Sequence, residues 1–333
     1  MVKAIPITGG GPAGAAAGLA VTRAGAKAAI FEQSALPRHK LCGEFFSPEI
    51  AVLFEQLGVM DGFRALGPAR VTHAEMNFLK HHYRFRLPEP AWGLSRYALD
   101  DFLLRAAAVQ GAELRRERGG ERGRIAIVAS GRTVAQTKSR SRLFGFKAHF
   151  EGPASDAVEL FFFQGGYTGI CAIENRRTNV CGIAQEGLLR ENGFLPDRLI
   201  AFAPHLAARL RQLARITPWH VRGPLRFGRA AVPRGPLFPA GDAMRFIDPF
   251  TGSGLLAAVQ TGIWAAAAAM RAADGGNLER CCTDYQRQCR SFYSRQSAAA
   301  AILRRFLSLG CAEFLAGLLP GRLLFRLTRP GDV

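Results

Sequence analysis

The chain has 333 residues, of which 48% are hydrophobic and 21% are charged. This balance excludes a disordered, collagen-like or coiled-coil protein, and the length is sufficient for one large domain or two closely packed ones. Lys and Arg number 44 against 26 Asp and Glu, a formal net charge of +18. Either an anionic membrane surface attracts this charge or it reflects a compositional bias toward Arg. The sequence has no nucleic-acid-binding signature, so we expect no nucleic-acid partner.

The seven cysteines show no C-x-x-C spacing. This pattern predicts neither a metal site nor a disulfide framework and is typical of a reducing compartment. The first residues lack the layout of a signal peptide, and the apolar stretch 254–270 contains Gln260 and Thr261, which favours a buried helix over a membrane span. We therefore expect a cytoplasmic protein, peripheral to a membrane if the positive charge has a membrane partner.

A glycine-rich turn follows the first predicted strand. Residues 4–8 form a short apolar run, and residues 9–14 match the pattern G-x-G-x-x-G. An Ala-rich helix is predicted over 15–24 and a second strand over 28–32. This order of strand, turn, helix and strand is the context in which the glycine pattern binds a dinucleotide.

Each glycine of the turn has its own role. Gly9 permits the tight turn, Gly11 lets the backbone approach a pyrophosphate, and Gly14 lets the helix pack on the strand. The free N–H groups at the start of the helix favour a bound phosphate. Glu32 ends the second strand, where its carboxylate can accept hydrogen bonds from ribose hydroxyls. These residues predict dinucleotide binding.

A second motif lies over residues 236–254. A short apolar strand ends in Gly241-Asp242-Ala243, and the loop from Pro249 to Gly252-Ser253-Gly254 precedes a long Ala-rich helix. An acidic side chain at a strand end suits sugar or ribityl hydroxyls. The loop presents backbone N–H groups to an electron-rich edge, such as that of a flavin ring. The two motifs together favour FAD over NAD.

Four segments resemble those of the FAD-dependent oxidoreductases of the para-hydroxybenzoate hydroxylase fold, and most closely the geranylgeranyl reductase branch. They are the glycine turn with Glu32, the segments 40–48 and 94–103, and the second motif. The resemblance implies FAD as cofactor and NAD(P)H or another transient electron donor. It implies that FAD is bound by Gly9, Gly11, Pro12, Ala13, Gly14, Glu32, Gln33, Cys42, Gly43, Arg96, Gly241, Asp242, Pro249, Gly252, Ser253 and Gly254.

The resemblance also implies an α/β fold with three parts. These are a Rossmann-like FAD-binding domain, an antiparallel β-sheet substrate domain and a C-terminal helical region. The expected bounds are 1–70, 94–140 and 226–275 for the first, 71–93 and 141–225 for the second, and 276–333 for the third.

Apolar alternation predicts the elements of the substrate domain. The aromatic run 160–163 is either sheet core, a wall for an apolar substrate, or both on opposite faces. The predicted strands cover 142–150, 157–164, 169–174 and 179–184, and an amphipathic helix is predicted over 199–215.

The C-terminal region is predicted to be helical over 278–309, 312–319 and 322–327. Leu and Phe residues interleave with Arg between residues 303 and 329. Such a tail either lies on an anionic bilayer or packs on the FAD-binding domain as a lid, with its Arg residues in water.

The sequence departs from the family in two places. The reductases carry Tyr-x-Trp-x-Phe-Pro on a strand beside the substrate, whereas this chain has Tyr167 followed by Gly169, Cys171 and Ala172. The missing Trp argues against halogenation, because halogenases carry Trp-x-Trp-x-Ile-Pro there. The segment 112–138 is also short, either as a simple loop trim or at the expense of the NAD(P)H approach.

The activity that the resemblance implies is hydride transfer from reduced FAD to a carbon–carbon double bond of a hydrophobic substrate. Cys42 and Tyr167 are the candidate catalytic residues. Cys42 either donates a proton or only shapes the cavity, and Tyr167 either supplies a proton or forms a hydrogen bond to a substrate head group. His39 and Lys40 could meet a pyrophosphate or a substrate anion, and His149 is expected to be structural. Two alternatives stay open: a flavin monooxygenase of an aromatic or polyketide-like compound, and an FAD-binding protein with little catalysis.

Overall fold

A computed structural model describes residues 4–119, 125–131, 142–200, 203–225, 228–229 and 237–308. The strands are β1 (Ile5–Thr8), β2 (Ala28–Phe31), β3 (Phe45–Phe46), β4 (Ala69–Asn77), β5 (His82–Gly93), β6 (Glu113–Arg115), β7 (Ala126–Val128), β8 (Leu143–Glu151), β9 (Ala157–Phe163), β10 (Gly166–Ala172), β11 (Arg177–Gln185), β12 (Ala214–Arg215), β13 (His220–Leu225), β14 (Gly228–Arg229), β15 (Leu237–Pro239) and β16 (Arg245–Phe246). The helices are α1 (Pro12–Arg23), α2 (Ile50–Leu57), α3 (Met60–Ala65), α4 (Arg96–Val109), α5 (Glu186–Glu191), α6 (Pro196–Ile200), α7 (Pro204–Leu210), α8 (Gly254–Ala273) and α9 (Leu278–Ser308).

A parallel sheet carries the glycine turn. Its strand order is β15-β7-β1-β2-β6, and the pairing places Ile7 beside Ile30 on one side and beside Ile127 on the other. Ile7 and Ile30 are fully buried, as expected for apolar strands covered on both faces. The predicted Rossmann-like unit is therefore confirmed.

Helix α8 packs closely on α1 beneath this sheet. A Cβ atom at Gly262 would lie 2.3 Å from the carbonyl oxygen of Ala13, so only glycine allows this approach of the two helices. Among the described residues, α8 alone has the length and hydropathy of a membrane-spanning helix, and 72% of that window is buried inside the protein. The buried helix predicted for this stretch is confirmed.

The second sheet has the order β12-β8-β11-β10-β9-β4-β5-β3, with β13 also paired to β8. Most neighbours are antiparallel as predicted, but β4 and β9 run parallel, because the chain returns through α4 and the first sheet between them. β3 joins this sheet although it directly follows the Cys42-Gly43 segment. The segment predicted to contact the cofactor is therefore attached to the second sheet.

The structure breaks one of the predicted helices and contains another. The predicted helix over 199–215 is wrong: α6 ends at Ile200, Pro204 begins the separate helix α7, and Ala214–Arg215 is a strand. The break has a physical cause, since Pro lacks the N–H that a continuous helix would need and is tolerated only in a first turn. Helix α9 confirms the helix predicted from Leu278. The arginine-rich tail from residue 309 onward lies outside the described residues.

Candidate cofactor and substrate cavity

One cavity of about 830 Å³ joins the glycine turn of the first sheet to the inner face of the second sheet. All but three of the residues predicted to bind the cofactor line it. The exceptions are Gly14 and Ser253, which are buried, and Gln33, which is exposed. Ser253 bonds instead to Thr251 through its hydroxyl, at 2.8 Å. The sequence motifs thus meet at one site, as expected for a ligand that spans both of them.

The geometry of the glycine turn matches the roles expected of its residues. Gly9 has a φ of +97°, and a Cβ atom there would lie 2.4 Å from the carbonyl oxygen of Ala129. A Cβ atom at Gly14 would lie 1.8 Å from the carbonyl oxygen of Gly9. At Gly11 the nearest atoms to such a Cβ are the Arg96 guanidinium and the Lys40 ammonium, both at 3.8 Å. Gly11 therefore faces two cations across the cavity.

Glu32 lies at the end of β2 with both carboxylate oxygens fixed by the backbone. One oxygen accepts from the N–H of Gly10 at 2.9 Å and the other from the N–H of Ser34 at 2.8 Å. Burial raises the pKa of Glu32, but these N–H donors and nearby Lys40 outweigh it and lower the pKa below its ordinary value. Because a carboxylate has about four acceptor sites, the ionised group keeps capacity for ribose hydroxyls.

Arg96 and Lys40 share one buried carboxylate. Arg96 donates to both oxygens of Asp100 at 2.6 and 2.8 Å, and Lys40 donates to one of them at 2.7 Å. Burial raises the pKa of Asp100, but the two cations lower it by more than burial raises it. The pKa therefore lies below its ordinary value. Two positive charges against one negative charge leave a net positive site beside Gly11. Such a site can bind a diphosphate.

Glu44 holds the segment 40–44 against β8 and the start of α4. Its side chain is fully buried and accepts from the Arg96 N–H at 2.6 Å, from His149 Nε2 at 2.7 Å and from Lys147 Nζ. Lys147 also donates to the carbonyl oxygen of Lys40 at 3.1 Å. Burial raises the pKa of Glu44, while Lys147 and His149 lower it and prevail. This carboxylate therefore stays ionised inside the protein.

Sequence reasoning missed Glu44 and Lys147 as a site. Lys147 and His149 are two residues apart on β8 and thus point to the same side of the sheet, which is the one signal that could have suggested their partnership. The structural role expected for His149 agrees with its position, since it is buried and bonded to Glu44.

Cys42 lies in the cavity wall between these two charged clusters. Its thiol accepts from the Glu44 N–H at 3.4 Å, and its carbonyl oxygen accepts from Asn179 Nδ2 at 3.1 Å. Burial lowers the pKa of the Arg96 guanidinium, but Asp100 and then nearby Cys42 raise it above its ordinary value. The backbone of this segment is thus attached to β11 as well as to β8.

Tyr167 connects the second sheet to the loop that precedes α8. Its hydroxyl donates to Asp248 Oδ1 at 3.1 Å, and the same oxygen accepts from the Phe250 N–H at 3.1 Å. Burial raises the pKa of Tyr167 well above its ordinary value, and Asp248 adds to the increase. Tyr167 is therefore a neutral phenol whose proton is engaged by a carboxylate.

The wall formed by the second sheet is apolar. The aromatic run on β9 serves both faces of the sheet, because Leu160 lines the cavity and Phe162 packs behind Tyr167, whereas Phe161 and Phe163 belong to the core on the opposite face. The run is therefore sheet core, as one interpretation predicts, and its role as a wall for an apolar substrate stays a prediction. The apolar side chains that line the cavity from this sheet include Ala74, Met76, Phe85, Val158, Leu160 and Ile183.

The other end of the cavity is basic. Arg38, His39, His220 and Arg222 line it, and the ring centroids of His39 and His220 are 6.0 Å apart. Burial lowers the pKa of both histidines, and neighbouring cations, Lys147 among them, lower it further. Within the described part of the chain, no carboxylate forms an ion pair with these four residues. This rim therefore favours an anionic group.

Comparison with known proteins supports the fold. No family model matches the sequence, and no curated protein matches it either. The flavin-dependent brominase Bmp2 has a TM-score of 0.79 at 20% identity, covering 97% of this chain and 92% of the brominase. A flavoprotein/dehydrogenase from Cytophaga hutchinsonii also has a TM-score of 0.79, at 18% identity and 98% and 90% coverage. PqsL from P. aeruginosa, solved with 2-aminobenzoylacetate, has a TM-score of 0.73 at 16% identity and 95% and 98% coverage. The chain thus has the fold that the resemblance predicts, and the geranylgeranyl reductase branch stays a prediction.

Proposed function

We propose that this protein is an FAD-dependent oxidoreductase that reduces carbon–carbon double bonds of a hydrophobic, isoprenoid-like substrate. The observation that carries the proposal is the continuity of the cavity. A diphosphate site beside Gly11 and an apolar sheet face open into the same space. The flavin-dependent proteins of the same fold support FAD as the dinucleotide.

The residues of the cavity fit FAD. Glu32 would bind the adenosine ribose, and the net positive pair of Arg96 and Lys40 would hold the pyrophosphate against Gly11. Asp242 would bind the ribityl hydroxyls. Segment 42–43 and loop 249–254 would enclose the ring. When bound, FAD would supply the hydride, and the protein would supply position and a dry, preorganised surrounding.

The side chains of the second sheet define what the substrate experiences. Their apolar surface would exclude water from the reacting double bond. Tyr167 and Cys42, the two predicted catalytic residues, line the same cavity and are the candidate proton donors to the adjacent carbon. Tyr167 would act as the donor after its hydroxyl turns its proton from Asp248 Oδ1 toward the substrate. At the basic rim, Arg38 and Arg222 favour an anionic electron donor such as NAD(P)H that binds and leaves.

One observation favours a second candidate, a flavin monooxygenase of an aromatic compound. PqsL, which shares the fold, was solved with the aromatic molecule 2-aminobenzoylacetate. A fold hosts many chemistries, so the choice depends on the reaction itself. We further propose a cytoplasmic location with a membrane surface as partner, on the basis of the charge of +18.

The deciding experiment uses the purified protein loaded with FAD. The holoprotein is reduced without oxygen and incubated with a lipid extract, and products are identified by mass spectrometry. A gain of two hydrogens supports the reductase. A product that gains oxygen once air is admitted identifies the monooxygenase, and no product indicates an FAD-binding protein with little catalysis. A folded, colourless protein that cannot be reconstituted with FAD would overturn all three.

A further inference from the structure

On the face of β10 that lines the cavity, Gly169 lies between residues that carry side chains. Tyr167, Gly169 and Cys171 alternate along this strand, and all three line the cavity. Gly169 pairs with Cys181 on β11 and with Leu160 on β9. Leu160 in turn pairs with Met76 on β4, so one row of four cavity-lining residues crosses four strands. The row has no side chain at Gly169.

The backbone does not require a glycine at this position. Gly169 lies inside a regular antiparallel strand, and its φ is outside the positive range that other residues avoid. A glycine inside a strand weakens the strand and often marks a place where a ligand approaches closely. The absent side chain therefore needs an explanation outside local structure.

The space above Gly169 belongs to the cavity. A Cβ atom there would lie 3.3 Å from Leu160 Cδ2 and 3.6 Å from the Cys181 carbonyl oxygen. The first neighbour is the end of a flexible side chain, so an alanine can be accommodated by a small shift. Larger side chains project away from the sheet and would occupy the cavity itself.

The surface on either side of this gap is hydrocarbon. Met76, Phe85, Val158 and Leu160 line the cavity from the three strands that follow β10 in the sheet order. Strands lie about 4.8 Å apart, so a chain that crosses from β11 to β4 follows roughly 14 Å of apolar surface. Such a path suits an extended hydrocarbon without polar groups.

We propose that Gly169 sets the length of the apolar chain that the cavity accepts, because the substrate tail passes over this residue toward Met76. The inference rests on the proposed function and adds the determinant of chain length to it. Each methylene kept out of the cavity weakens binding by about fourfold. A leucine at residue 169 occupies the space of about four methylenes and should weaken binding of a long chain by roughly two orders of magnitude.

The test compares Gly169→Leu with the wild-type protein, both loaded with FAD, by calorimetric titration of 1-hexanol and 1-dodecanol. Dodecanol binding should fall by roughly two orders of magnitude, while hexanol binding changes little. Gly187→Leu is the matched control, because Gly187 is exposed on α5 and a Cβ atom there meets open space. It should bind both alcohols as the wild type does.

A compensating variant separates lost space from lost folding. Leu160→Ala combined with Gly169→Leu returns volume at the directly paired position, so dodecanol binding should recover. If Gly169→Leu does not fold, Gly169→Ala should still weaken dodecanol binding by about fourfold. Equal losses for both alcohols, wild-type binding of both, or no recovery in the double variant would overturn the inference.

The same titrations, repeated on the cofactor-free protein, keep this inference separate from the proposed function. A protein that discriminates the two alcohols through Gly169 but binds no FAD would refute the proposed function and retain the role of Gly169. A protein that binds FAD and reduces a substrate without discriminating the alcohols would do the opposite.

Discussion

His149 Nε2 lies 2.7 Å from Glu44 Oε2, at a site where both side chains are almost completely buried. Glu44 belongs to the segment that lines the cavity, whereas His149 and neighbouring Lys147 belong to β8 of the second sheet. A buried charge cluster therefore attaches the cavity-lining segment to β8 of the second sheet.

Glu44→Gln should destabilise the protein by about 3–5 kcal/mol, because Lys147 would keep a buried charge without its partner. The free energy of unfolding measured with denaturant tests this. The control is Glu151→Gln, at the exposed end of β8, the strand that carries Lys147. It should change the free energy of unfolding by less than about 1 kcal/mol. Adding Lys147→Met to Glu44→Gln should restore part of the loss. Equal effects of the two single variants would contradict the assigned burial.

The Asp100 cluster should make stability depend on pH in the acid range. Its pKa lies below the ordinary value of 3.8, so its contribution is present above that value and is lost as the pH falls through the folded pKa. We expect the free energy of unfolding to fall as the pH drops below the ordinary pKa of an aspartate. In Asp100→Asn, the free energy of unfolding should decrease less at acid pH than it does in the wild type. An unchanged acid profile in the variant would show that Asp100 is not ionised in the folded protein.

Gly11→Ala should weaken cofactor binding, whereas Gly14→Ala should reduce the stability of the protein. A Cβ atom at Gly11 meets only the ends of Arg96 and Lys40 at 3.8 Å, so we expect a folded protein with weakened FAD binding. A Cβ atom at Gly14 would lie 1.8 Å from a backbone oxygen, so we expect a loss of stability even without cofactor. Thermal unfolding of the cofactor-free proteins and fluorescence titration with FAD separate the two effects. A Gly14→Ala protein as stable as the wild type would refute the assigned packing.

Arg96→Gln should weaken FAD binding by roughly ten- to a hundredfold, the range expected for the loss of a hydrogen bond to a charged group. Arg105→Gln on the same helix is the control, because its side chain is 75% exposed and pairs only with Asp101 among the described residues. Fluorescence titration at two salt concentrations gives the dissociation constants. Equal affinity in both variants would exclude Arg96 from the phosphate site.

Tyr167→Phe tests whether this hydroxyl supplies the proton. Loss of a general acid lowers the rate of the chemical step by roughly 10²–10⁴-fold, whereas loss of a structural contact with Asp248 mainly raises KM or reduces stability. The measurements are kcat, KM and the pH profile of double-bond reduction, with FAD affinity as a check on the site. A kcat within about threefold of the wild type would assign the proton to another group.

Local motifs predicted the parallel sheet and most of the cavity, because a glycine turn dictates its own backbone geometry. Gly9 and Gly14 have the close backbone contacts that the turn and the helix packing require, and the phosphate role of Gly11 stays a prediction. The Glu44 cluster was not predicted, because Glu44 lies more than a hundred residues from Lys147 and His149 and meets them only in the folded protein. The parallel pairing of β4 with β9 was missed for the same reason.

The broken helix had a signal that amphipathic periodicity concealed. Pro204 occupies the first turn of α7, and the apolar spacing on both sides continues in register, so the period alone indicated one helix. The gap above Gly169 could be identified only after the strands were paired, since sequence does not reveal which neighbours face it.

The order of strands in the parallel sheet has a consequence for how the protein is made. β1 lies beside β7, and β7 lies beside β15, which ends at Pro239, whereas strands β3 to β11 of the second sheet are all present once Gln185 has been synthesised. A nascent chain can therefore assemble most of its second sheet while the first is still missing its edge. The cavity between the two sheets is therefore complete only after β15 and the following helix α8 have left the ribosome.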